Sequence, residues 1–126
     1  MSVRLLSLLN AAGDTLRANA SLTAGQQLEV SRIVDYQKHL ARMNLHVRGP
    51  GGSEPRGHIQ LQQFNFADGR TCIKALLNWA PAGRQVTLDI FGSADTNWGA
   101  EANRLAETWL DGMPADEGNA SLAASA

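Results

Sequence analysis

Cys72 and Lys74 stand two residues apart in an apolar run from Thr71 to Trp79, a spacing that puts thiol and ammonium on one face of a strand. A neighbouring cation favours the thiolate, which is the nucleophile. Catalysis would also need a base to take the proton and donors to hold an oxyanion, and neither is spaced to join the pair. A lone cysteine inside an apolar run is read instead as a small core residue.

Three histidines raise metal chemistry. His39 and His46 are seven positions apart, and His58 follows a Gly/Pro-rich segment. No carboxylate or further ligand is spaced to complete a tetrahedral site with them, so no metal and no cofactor is expected. Asp89, Asp95 and Glu101 would supply a carboxylate pair for acid–base work. Each has a simpler account: Asp89 as a solvent-facing strand residue, Asp95 as a helix cap, and Glu101 as a favourable charge in a first helical turn. The Gly49–Gly57 segment lacks the Gly-Lys-Ser/Thr ending of a phosphate-binding loop.

Charge offers a further site. Residues 1–56 hold seven Arg or Lys against four Asp or Glu, residues 57–94 three against two, and residues 95–126 one against six. Arg32, Lys38, Arg42, Arg48 and Arg56 would form a phosphate-binding patch if they share a surface. A double-stranded-RNA-binding arrangement would also need lysines opening the last helix, where Asp95, Thr96, Asn97, Trp98 and Glu101 stand. A pI near 6.3 weighs against general nucleic-acid binding.

The elements that must position these residues follow from periodicity. Leu5, Leu9, Ala12 and Leu16 mark an amphipathic helix from Val3 to Arg17, weakened by Gly13. Thr23-Ala24-Gly25-Gln26 has the spacing of a capping box. Val30, Ile33, Val34, Gln37, Leu40 and Ala41 behind it predict a second helix. Met43, Leu45 and Val47 then alternate as a first strand, and Gly49 to Gly57 is expected to be a loop. Ile59, Leu61, Phe64 and Phe66 form a second strand whose phase slips near Gln62 and Gln63, the sign of a bulge.

Asp68-Gly69 signals a type I′ hairpin into a third strand, Arg70 to Trp79, with Thr71, Ile73, Ala75, Leu77 and Trp79 on one face. Val86, Leu88 and Ile90 mark a fourth. Trp98, Ala102, Leu105, Trp109 and Met113 then form the apolar stripe of a final helix, stopped by Gly112 and Pro114. The expected fold class is α+β: two N-terminal helices, a four-stranded antiparallel β-meander, and a C-terminal helix packed on the sheet.

The 126 residues suffice for one domain, expected over 1–113, with a flexible Ala/Ser/acidic tail over 114–126. An apolar fraction of 44% and a charged fraction of 18% fit a globular chain. No run approaches the 18 apolar residues of a bilayer span, so no membrane partner is expected. Arg4, Leu5 to Leu9 and Ala18-Asn19-Ala20 imitate a secretion signal, but Ser7, Asn10, Asp14 and Arg17 interrupt the pattern. A single cysteine suits a reducing cytoplasm.

With no reaction constellation, the sequence points to a non-catalytic protein-binding or adaptor module. Leu5, Leu6 and Leu9 offer more apolar face than one small sheet needs, and an exposed Trp98 would add an anchor. Self-association, as a homodimer, is the expected mode, and a sheet edge is a second route to it. The alternatives are a nucleic-acid-binding domain built on the five basic residues, and a small-ligand binder or enzyme with a pocket between sheet and last helix.

Overall fold

The structure, a computed structural model, describes residues 5–80, 82–93 and 95–113. Helix α1 (Leu5–Asn19) leads into five strands, β1 (Gln27–Asp35), β2 (Leu40–Gly49), β3 (Gly52–Asn65), β4 (Thr71–Trp79) and β5 (Arg84–Gly92), and α2 (Trp98–Gly112) follows them. The strands form one antiparallel meander in sequence order, with β1 and β5 as its edges.

The expected second helix is a strand and a hairpin turn. Thr23 and Gln26 do make half of a capping box, since Gln26 Oε1 accepts from the Thr23 amide at 3.2 Å. Gly25, at φ +85°, turns the chain out of helical geometry at that point. The β-branched Val30, Ile33 and Val34 then fit the pleated surface of β1. Asp35 Oδ1 accepts from the Gln37 and Lys38 amides at 3.1 and 3.3 Å, and His39 adopts φ +49° to close the turn into β2. The sheet therefore has five strands rather than four, with one helix ahead of it.

Most of the expected Gly/Pro loop is also strand. Only Pro50 and Gly51 turn, and β3 begins at Gly52. Pro55 is tolerated because pairing with β4 starts two residues later, at Gly57, so its missing N–H interrupts no ladder there. The bulge lies here too, where the register shifts at Leu45/His46 and leaves Arg56 as the extra residue between Pro55 and Gly57. Gln62 and Gln63 run in register with Lys74 and Ile73, so no bulge occurs there. Gln63 takes the inward position and Phe64 points outward, exposed.

The Asp68-Gly69 hairpin is present, but as a longer turn than type I′. The Phe66 amide donates to Arg70 O at 2.9 Å, and Gly69 alone carries positive φ. Asp68 stays in ordinary backbone space and uses Oδ1 to accept from the Arg70 amide at 3.1 Å.

Both helices cover one face of the sheet, α1 over β1 and β2, α2 over β4, and they pack against each other. Ala41, Met43, Leu45, Ile59, Leu61, Ile73, Ala75, Leu77 and Trp79 from the sheet meet Leu9, Ala12, Leu16, Leu105, Ala106 and Trp109 from the helices, all buried. The alternation expected over β4 and the stripe expected on α2 both lie in this core. Asn97, rather than Asp95, caps α2, its side chain accepting from the Ala100 amide at 3.0 Å. The opposite face of the sheet is left uncovered by either helix. The expected tail, residues 114–126, lies outside the described residues.

Candidate functional site: the uncovered sheet face and its free edge

Strand alternation places Ser31, Asn44, His58, Asn78 and Gln85 in one row across all five strands of the uncovered face. The next row is Ile33, Arg42, Gln60, Leu76 and Thr87, and beyond it lie Asp35, Leu40, Gln62, Lys74 and Asp89. At the end of the face, Phe64, Cys72 and Phe91 stand opposite one another on β3, β4 and β5.

Arg42 is the best-positioned cation on this face. Its Nε donates to Asn44 Oδ1 at 3.0 Å, and Nη2 lies 3.1 Å from His58 Nδ1. Neither partner is a carboxylate. Burial, and then the charge of Arg42 beside it, hold the His58 imidazole below its ordinary value of 6.5. A neutral ring is what an Arg42 N–H needs as an acceptor.

The five basic residues do not share one surface. Arg32 projects to the helix side of β1 and donates to Asn10 of α1. Lys38 sits in the β1–β2 turn. Arg48, on the uncovered face, pairs with Glu29 at 3.6 Å, and Arg56, at the bulge, pairs with Glu54 at 3.1 Å.

The histidines are likewise dispersed. His39 is exposed in its turn, His46 stands opposite Pro55, and His58 opposite Asn44. Among the described residues, no group of three His, Cys, Asp or Glu is placed to hold a metal ion. The Cys72 residue is buried, between Phe64 and Phe91 in the strand register, and its thiol is pushed above its ordinary value of 9.0 by burial and by the charge of Asp89, against the opposing pull of Lys74. That is the reverse of an activated nucleophile. Glu101 pairs with Arg104 on α2, while the Asp95 amide donates to Ser93 Oγ at 3.3 Å.

Of the proposed interface residues, Leu5 and Leu9 lie in the chain's own core, while Leu6 is exposed on α1. Trp98 is half-buried, its indole donating to Ser93 O at 3.1 Å. The space between sheet and α2 is filled by Trp79, Leu77, Leu105 and Trp109. An open hollow of about 490 Å³ lies along Arg17 to Leu28.

The free edge of β5 was not singled out by sequence. From Arg84 to Thr87 every residue is exposed, and Val86 and Phe91 are apolar side chains left 40% and 62% accessible. Arg84 is drawn away over the Trp79 ring, 4.6 Å from its centroid, and donates to Gly112 O at 2.7 Å. Asp89 is then the only other charge on the strand. No helix among the described residues is long and apolar enough to cross a membrane. Comparison of the chain with protein-family models, with curated proteins and with solved structures found no match.

Proposed function

We propose that the chain is a small, non-catalytic protein-binding module that self-associates through β5. One observation carries this: β5 is a nine-residue edge strand with no proline, one outward charge and exposed Val86 and Phe91. Unpaired backbone N–H and C=O groups along such an edge are a template for another strand, and edges that stay single are blunted by charge or proline. The opposite edge is blunted in this way, since β1 carries Glu29, Arg32 and Asp35. Two copies of β5 pairing antiparallel about a two-fold axis would form one continuous sheet, each edge satisfying the other. A lone, unactivated cysteine suits the reducing interior of a cell, where we place the module.

Light scattering on a sizing column tests the reading. The unmodified chain should elute as a dimer, and Val86→Lys with Thr87→Lys should give a folded monomer. A chain that is monomeric at high micromolar concentration would sink it.

A further inference from the structure

We propose that Arg42 is the receptor for a single carboxylate of a partner protein, presented by an acidic and apolar segment laid on the uncovered face. The site is on the face and not on the β5 edge, so it stands or falls separately from self-pairing.

A guanidinium carries five N–H donors in a fixed plane. Two of the Arg42 donors are taken by Asn44 and His58, which fix that plane without neutralising its charge. The remaining donors and the full positive charge are left for a ligand. On this face Arg48 pairs with Glu29 at 3.6 Å, and Lys74 stands opposite Asp89 in the register of β4 and β5. Arg42 is the cation of the face that two neutral side chains hold in place.

This layout decides the ligand class. A nucleic-acid strand is tracked by several cations along its backbone, and the face clamps one. A carboxylate needs one guanidinium, and the pairing is strongest where two parallel N–H bonds can form. Ile33 lies directly across from Arg42 on β1 and is 60% exposed, while Leu76 lies on the same row beyond Gln60. Apolar side chains next to the acid would therefore find apolar surface beside the guanidinium.

The test uses the full chain and a fluorescein-labelled hexapeptide alternating glutamate with leucine, followed by anisotropy at low and physiological salt. The matching controls are the glutamine-for-glutamate peptide and a short oligothymidylate. The expected result is saturable binding of the acidic peptide, weakened about tenfold or more by Arg42→Gln and by the glutamine peptide. Arg42→Lys should weaken it too, because an ammonium keeps the charge but cannot hold the same fork. The Arg42 Nε–H resonance should shift during titration, and circular dichroism should show each variant folded. Absence of peptide binding, unchanged binding by folded Arg42→Gln, or tighter binding of the oligothymidylate would each overturn the assignment.

Discussion

Trp79 and Trp109 are bound to each other's strand and helix by two indole hydrogen bonds. Trp79 Nε1 donates to the Trp109 carbonyl at 2.8 Å, and Trp109 Nε1 donates to the carbonyl of Asn78, the residue before Trp79, also at 2.8 Å. Both side chains are buried. Two aromatic rings thus dock α2 on β4 with their polar ends satisfied, which a purely apolar pair would not fix in register.

Replacing either indole by phenylalanine keeps most of the ring but leaves a buried or part-buried carbonyl without its indole donor. Trp109→Phe and Trp79→Phe should each lower stability by about 1–3 kcal/mol. Urea unfolding would show this as a lower midpoint at unchanged slope. Because the two bonds share one contact, the double variant should lose less than the sum of the singles.

Two glycines should respond with opposite signs to alanine. At Gly13, a Cβ would meet Met43 Sδ at 3.5 Å, ordinary contact, so Gly13→Ala should stabilise by roughly 0.5–1 kcal/mol through helix propensity. At Gly57, φ is +136° and a Cβ would stand 1.9 Å from the Asn78 carbonyl oxygen. Gly57→Ala should cost at least about 2 kcal/mol, or prevent folding. Thermal melts of the two variants check both signs.

Along α1, Leu6→Lys should change stability by no more than about 0.5 kcal/mol, whereas Leu9→Ala should cost roughly 2–5 kcal/mol. Leu9 is fully buried and Leu6 is 37% exposed. Of these two, the Leu6 variant tests α1 as an interface without unfolding it. A dimer that survives Leu6→Lys but not Val86→Lys with Thr87→Lys places association at the edge.

The histidine row gives a pH dependence. His58 binds its proton less readily in the folded chain than in the unfolded one, so its contribution is complete above pH 6.5 and is lost as pH falls through the lower folded value. Imidazole carbon–proton correlation spectra should show His58 titrating below 6.5, and Arg42→Gln should raise that midpoint by removing the neighbouring charge. The acid-side loss of stability should shrink in His58→Gln.

Much of the architecture was legible because burial enforces a period. Thr71, Ile73, Ala75, Leu77 and Trp79 alternate along β4, and Ala102, Leu105, Ala106 and Trp109 recur at helical spacing on α2. The misreadings came where two signals overlap. Val30, Ile33, Val34 and Ala41 satisfy helical spacing by coincidence, and the hairpin between them depends on Asp35 side-chain bonds and a left-handed His39. Gln63 facing inward broke the expected apolar phase, although its side chain is satisfied by Asn65 Oδ1 at 2.9 Å. The Arg42 clamp was invisible for a different reason. Its parts come from Arg42, Asn44 and His58, and only the pairing of β2 with β3 across the Arg56 bulge brings the histidine alongside.

The strand order has a consequence for how two partners would be arranged. β2 lies three strands in from the β5 edge, so a β5-paired dimer separates its two Arg42 residues by seven strand spacings, roughly 34 Å across the sheet. Adjacent strands rotate by roughly 20–25°, and over seven steps that accumulates to about 150°. The two guanidinium sites would then look in nearly opposite directions. Such a dimer cannot clamp one molecule twice; it joins two molecules, one on each side, and cross-links whatever carries the acidic segment.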